Sequence, residues 1–287
     1  MNKFAVIDIG SNSVRLMYVA DGKVLYKDLE TTRLGEGLAQ TKALNPLAIE
    51  RSALAVQTFY NRAIAQGAEK VFAFATAAVR TANNGNDFVS RVAQLCPLEV
   101  DVISGDKEAE LGILGALGER DGGVIDVGGA STEFVVKQNG AYVYKKSVDI
   151  GVVRLKDDCG RDKPYLLKKM QSAIEAFGSI PKNVTVYAIG GTATTLAALC
   201  LGLEKYDSKK VTGAEIMVET MSHWAEKLLE MDVEEIAKFP CMPPKRADVI
   251  AGGALWLCTF MRAFGIEKII VSDRDNLEGY AIKKGLL

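Results

Sequence analysis

Two stretches of the chain carry one signature. Val6-Ile7-Asp8-Ile9-Gly10-x-x-Ser13 and Val124-Ile125-Asp126-Val127-Gly128-x-x-Ser131 keep Asp, Gly and Ser in register, each inside β-branched, strand-like sequence. A D-[IV]-G-x-x-S match alone is common by chance. Its recurrence in the same apolar context points to an internal repeat, which limits the possible folds more than any single motif does. Each copy reads as strand, polar glycine turn, strand. The expectation is a pair of related α/β domains, each opening with a hairpin.

The remaining pattern fits two such units. Lys23 to Leu29 reads as a third strand, and residues 46–66 have apolar positions at helical spacing. Strands are expected at 71–76 and 100–103, and helices at 87–95 and 104–117, the latter capped by Ser104 or Asp106. After the second hairpin come a strand at 183–189, an apolar helix from Leu196, helices at 214–231 and 247–263, a strand at 268–271 and an amphipathic tail from Gly279. The charged, glycine-containing stretch 118–123 is the candidate hinge. It divides the chain into domains 1–117 and 118–273, with the tail at about 274–287 a candidate to pack back on the first.

Counting removes several chemistries. The 287 residues hold 35 Lys and Arg against 36 Asp and Glu, so the chain is no polycation built to coat nucleic acid. The single histidine, His223, rules out a histidine-rich zinc site, and the five cysteines form no C-x-x-C pair. Reduced thiols and the absence of a signal-peptide pattern fit a cytoplasmic protein. The uncharged runs 188–203 and 249–261 fall short of the roughly 20 apolar residues of a membrane span. The second of these suits a domain core or a homodimer interface.

Turns rich in Gly and Ser leave backbone N–H groups free, and such nests bind anions. Two of them across a cleft would clamp a phosphoryl chain. Asp8 and Asp126 end the strands beside these turns, where a carboxylate repels phosphate unless a cation lies between; Mg²⁺ shares its shell among few carboxylates, water and phosphate oxygens. Glu133 reinforces Asp126. The alternative is that both aspartates bond their own turn backbone; duplication favours the phosphate role. Gly190-Gly191-Thr192 follows a strand and opens a helix, which suits either phosphate binding or close packing. Arg15, Arg33 and Arg80 lie beside turns or strand ends, where guanidinium groups could meet phosphate.

These segments together resemble the exopolyphosphatase/guanosine pentaphosphate phosphohydrolase (Ppx/GppA) family. Residues 8–16 (DIGSNSVRL) are similar to its opening motif, Thr32-Arg33-Leu34-Gly35-Glu36-Gly37-Leu38 to its next block, and residues 75–83 to the third. Residues 103–111 look like its catalytic segment and 126–134 like its second phosphate loop; 150–155, 188–199 and 246–250 continue the match in family order. The resemblance implies an α/β fold of two related actin-like domains (Hsp70/sugar-kinase superfamily, ribonuclease H-like) with the site in the interdomain cleft. It implies removal of a terminal phosphoryl group from inorganic polyphosphate or pppGpp with Mg²⁺ or another divalent cation. By position, Glu108 would activate water; Asp126, Glu133 and Asp8 would hold the metal. Gly10, Ser11, Asn12, Ser13, Gly128, Gly129, Ala130 and Ser131, with Gly190, Gly191 and Thr192, would cradle phosphate, and Arg15, Arg33 and Arg80 would neutralise it.

Departures from the family pattern carry expectations too. Lys107 stands where the family often has an acid, adding a cation expected to depress the pKa of Glu108. Leu277 replaces the arginine of an R-E-G motif, which would remove a phosphate or nucleotide contact. A chain ending soon after that motif resembles the short, two-domain type, with short polyphosphates preferred. The primary expectation is an exopolyphosphatase without nucleic-acid or membrane partners. The alternatives are a pppGpp 5′-phosphohydrolase, a non-catalytic sensor of guanosine penta- or tetraphosphate, and an ATP-dependent kinase on the same fold.

Overall fold

The computed structural model describes residues 2–243 and 245–287. Each repeat forms its hairpin because apolar, largely β-branched strands bury both faces: Ile7, Ile9 and Val14 enter one core and Val6 and Val19 another, as Ile125 and Val136 do opposite Val124 and Val135. In the first lobe β1 (Lys3–Ile9), β2 (Ser13–Ala20) and β3 (Lys23–Thr31) make an antiparallel meander. The short α1 (Leu38–Thr41) and the long α2 (Pro46–Ala65) lead to β4 (Lys70–Ala75); α3 (Ala77–Thr81) and α4 (Gly85–Leu95) lead to β5 (Val100–Val102). β4 runs parallel to β1 and β5 parallel to β4, giving the order β3-β2-β1-β4-β5.

α5 (Gly105–Leu117) carries the chain into the second meander, β6 (Gly122–Val127), β7 (Thr132–Gln138) and β8 (Ala141–Val148). α6 (Val152–Cys159) and α7 (Lys163–Phe177) precede β9 (Val186–Ile189), which is followed by α8 (Gly190–Cys200) and α9 (Ser208–Val211). Then come β10 (Glu215–Met217), α10 (Val218–Glu230), α11 (Val233–Ile236), α12 (Ala247–Phe264), β11 (Lys268–Val271) and α13 (Asn276–Lys283). The second sheet runs β10-β11-β9-β6-β7-β8. Removing the antiparallel edge strand β10 leaves the topology of the first sheet, so the fold is the duplicated actin-like α/β arrangement.

Three local expectations change. The segment 214–231 is not one helix, because its first residues pair with β11 as β10. α8 begins at Gly190 rather than Leu196, and α13 at Asn276 rather than Gly279, with Asp275 as its N-cap. α5 is capped by Ser104, whose hydroxyl accepts the Lys107 N–H at 3.2 Å, and not by Asp106.

Each lobe has its own apolar core. α12 is long and apolar enough to cross a membrane by length and composition, yet 67% of it is buried in the second lobe, where Trp256 and Phe260 pack on Phe134 and Phe177. α5 has two apolar faces. Leu111 joins Val6, Met17 and Phe74 of the first lobe together with Leu277 and Tyr280 of α13, while Ala109, Ile113 and Leu117 pack on Val124 and Val135 of the second. α13 therefore follows a second-lobe strand but lies on α5 and the first sheet.

Candidate functional site

The two repeated turns close alike. Gly10 N–H donates to Ser13 O and Gly128 N–H to Ser131 O, both at 3.0 Å. Neighbouring segments hold the turn carbonyls: Thr32 and Arg33 N–H donate to Asn12 O, Gly35 N–H to Ser11 O, Val152 N–H to Gly128 O and Val153 N–H to Gly129 O. That leaves the amides of Ser11, Asn12, Gly129 and Ala130 without an acceptor among the described residues, as an anion-binding nest requires. The turns touch across the interlobe gap. A Cβ placed on Gly129 would lie 2.9 Å from Ser11 Cβ and 3.1 Å from Asn12 N, so only glycine permits this approach.

A cavity of about 520 Å³ opens between them, lined by both turns, by Asp8, Arg15, Glu108, Asp126 and Gly190 to Thr192, and by Arg246, Asp275 and Asn276. Among its lining residues the carboxylates Asp8, Asp28, Glu108, Asp126, Asp273 and Asp275 outnumber the cations Arg15, Lys27 and Arg246. Glu108 stands one turn into α5, its backbone N–H on Ser104 O and its carboxylate on Arg80 Nη1 at 3.0 Å. Burial raises its pKa to about 7; Arg80 opposes the shift, and Asp126 and Asp8 add to it. Lys107 does not depress it: its ammonium is turned to Asp101 at 2.8 Å, because successive helix positions point in different directions.

Asp126 and Glu133 are direct cross-strand partners on β6 and β7, as Asp8 and Arg15 are on β1 and β2. The second lobe thus has an acid where the first has the cation that neutralises its aspartate. Burial raises Asp126 to about 7, helped by Asp275, and raises Glu133 well above the usual carboxylate range, helped by Glu108 and Asp126. Burial also raises Asp8 against the pull of Arg15, and among the described residues its Oδ1 has no partner. Among the described residues Asp8, Asp126 and Glu133 do not converge into a three-carboxylate shell: Glu133 lies behind the cavity wall, bonded by Ser147 Oγ at 2.6 Å. One or two carboxylates suffice for Mg²⁺, whose other ligands are water and phosphate oxygens. The all-oxygen donors, the unpartnered Asp8 Oδ1 and the acid excess fit such an ion.

Other expected site residues sit differently. Arg80 serves Glu108 and Ile103 O and does not line the cavity. Arg33 pairs with Asp248 at 2.6 Å, a bridge between the lobes outside the cavity lining. Thr192 spends its hydroxyl on Val127 O at 2.9 Å, leaving the first-turn amides of α8 as the groups open to a ligand. Leu277 is buried among Val6, Met17 and Tyr280 at the cavity margin, part of the apolar contact that fixes α13.

Several polar lining residues were not expected in the site, four of them beside its charged groups. Asn276 Nδ2 donates to Asp126 Oδ2 at 3.0 Å, Asp275 pairs with Arg15, Lys27 stands by Asp275 and Glu278, and Arg246 projects over Gly191. Arg246 is 6% exposed, and its guanidinium has no hydrogen-bond or ion-pair partner among the described residues. Burial, with Arg15 nearby, lowers its pKa to about 10, so it stays charged at neutral pH. Its sequence signals were its place before an apolar helix and in the 246–250 block of the family resemblance, neither of which marked it as a site residue.

Comparison with known proteins follows the same lines. The model of the Ppx/GppA phosphatase family matches residues 16–286. The chain belongs to the Ppx/GppA phosphatase family. Exopolyphosphatase 2 of Mycobacterium tuberculosis is 30% identical over 98% of both chains. The guanosine-5′-triphosphate,3′-diphosphate pyrophosphatase of Vibrio cholerae is 27% identical over 99% of this chain, which spans only 58% of that relative. The crystal structure of an exopolyphosphatase-like protein superposes with a TM-score of 0.90 at 25% identity, covering 99% of this chain and 98% of the other. A Ppx/GppA protein of Aquifex aeolicus gives 0.79 at 29% identity with the same coverage. For a Ppx/GppA chain, facing nests and a buried glutamate in one cleft agree with phosphatase chemistry.

Proposed function

We propose that this protein hydrolyses the terminal phosphoanhydride bond of a linear phosphoryl chain, with inorganic polyphosphate as substrate. The observation that carries this is the placement of Glu108, a buried carboxylate held by Arg80, at the edge of a cavity into which two nests of free amides open. The relative of matching length is named an exopolyphosphatase. A terminal phosphoryl group held by the Ser11, Asn12, Gly129 and Ala130 amides and by Arg246 has its charge neutralised, the main demand of phosphoryl transfer. Glu108 takes the proton of the attacking water as its oxygen bonds to phosphorus; the bridging P–O bond breaks and the shortened chain leaves with the electron pair. Asp126 and Asp8 would hold Mg²⁺. When bound, that ion neutralises phosphate oxygens beside carboxylates that would otherwise repel them.

Hydrolysis of pppGpp is the second reading. Tyr206, Cys241, Met242 and Pro243 give the cavity an apolar margin beyond Arg246 that suits a purine. A phosphate-release panel with tripolyphosphate, long polyphosphate, pppGpp and ATP, without added acceptor, tests both. Release from polyphosphate with short chains used well is expected. Phosphate from none of the four, or ATP turnover only when an acceptor alcohol is added, would sink the proposal. Arg246→Met is expected to raise KM for the preferred substrate roughly 10–100-fold, the worth of one charge-assisted contact, with a smaller change in kcat.

A further inference from the structure

The cation of the first nest already has an anion. Arg15 Nε meets Asp8 Oδ2 at 3.0 Å, its Nη2 bonds the same oxygen, and its Nη1 bonds Asp275 Oδ2. Asp8 is its partner in the hairpin; Asp275 comes from the other end of the chain, as the N-cap of α13. Asp275 Oδ1 accepts the Leu277 N–H at 3.0 Å, and its backbone N–H donates to Glu278 Oε2 at 2.9 Å, so the carboxylate is held in place independently of Arg15. Asp275 is 4% exposed yet lines the cavity.

We propose that Asp275 is a resident competitor for Arg15, setting the affinity of the site for phosphoryl groups. The inference rests on the phosphohydrolase reading above. Carboxylate and phosphate oxygens suit the same guanidinium fork. With two carboxylates on it, Arg15 offers an incoming phosphoryl group no net positive charge, and Asp275 adds repulsion. Recognition then falls to Arg246 and the free amides. A site that binds a polyanion at one end must also release orthophosphate and the shortened chain, and a competing internal anion favours that release.

Asp275→Asn separates charge from structure, because asparagine caps helices about as well as aspartate and keeps the acceptor for Leu277 N–H; Asp275→Ser is the second uncharged cap. With tripolyphosphate, both variants are expected to lower KM by about 5–20-fold, to lower the inhibition constant of orthophosphate in parallel, and to leave kcat within about threefold, the scale of one close like-charge contact removed. An unchanged or higher KM in variants that melt like the wild type overturns the inference while hydrolysis by the wild type upholds the functional reading. Loss of folding in both variants makes Asp275 a structural residue and overturns it as well. Failure of the wild type to bind or cleave tripolyphosphate overturns the functional reading, and the inference falls with it.

Discussion

Glu108→Gln is expected to slow phosphate release by about 10²–10⁴-fold while changing substrate affinity little, the usual effect of removing a general base. Glutamine keeps an oxygen for Arg80 but cannot accept a proton from water. In the wild type the rate should fall as pH drops below about 7, where burial has placed the Glu108 pKa and where its carboxylate begins to be lost. A wild-type profile flat between pH 5 and 8, or a variant with near-normal turnover, would remove Glu108 from the mechanism. The same shift makes a stability prediction. In the unfolded chain glutamate titrates near about 4.3. Folding therefore takes up a proton between about 4.3 and 7, so the Glu108 contribution is most favourable below that window and is lost as pH rises through it. Glu108→Gln should melt higher than the wild type at pH 8 and nearly level with it at pH 4. A base retained at the expense of stability is what a catalytic carboxylate requires.

How far the sequence reveals this site depends on which interactions are local. The two hairpins are legible because each strand writes its burial in β-branched residues and each turn writes its conformation in Gly and Ser, all within about ten residues. Glu108 is legible only through the resemblance, because an acid in the first turns of a helix ordinarily complements the helix dipole. α8 hides its start because Gly190-Gly191 has the composition of a turn, and β10 hides because three residues at a sheet edge leave too short a pattern to separate from the helix after them. Asp275 and Asn276 are invisible for a different reason. Their partners Arg15 and Asp126 lie 260 and 150 positions away on different lobes, and the contacts exist only because the first turn of α13 returns to the boundary between them. The Arg33 ion pair was hidden for the same reason, since Asp248 stands 215 positions from it.

That return depends on two glycines, and replacing either is expected to have the largest effect on stability. α5 carries Glu108 near its N-terminus; α13 carries Asn276, which positions Asp126, so their relative placement aligns groups from both lobes. The helices cross backbone to backbone. A Cβ on Gly115 would stand 1.8 Å from Asp275 O, and one on Gly279 would stand 1.9 Å from Leu111 O. Neither obstacle is a flexible side-chain end; both are carbonyls committed to their own helices, so a methyl group must push α13 away. Overpacking of this kind costs about 1–3 kcal/mol and more where backbone must move. Gly115→Ala and Gly279→Ala should each lower Tm by roughly 2–12 °C at the 2–4 °C per kcal/mol of a protein this size. The displacement also pulls Asn276 from Asp126, so the folded fraction should lose at least about tenfold in kcat, as misplacement of about 1 Å does elsewhere. Gly252→Ala is the control, because a Cβ on this α12 glycine meets only Leu155 Cβ at 3.9 Å, an ordinary contact, and its φ is not positive. Melting curves and turnover of the three variants decide the point: if Gly115→Ala and Gly279→Ala resemble the control, the helix crossing does not hold the site together.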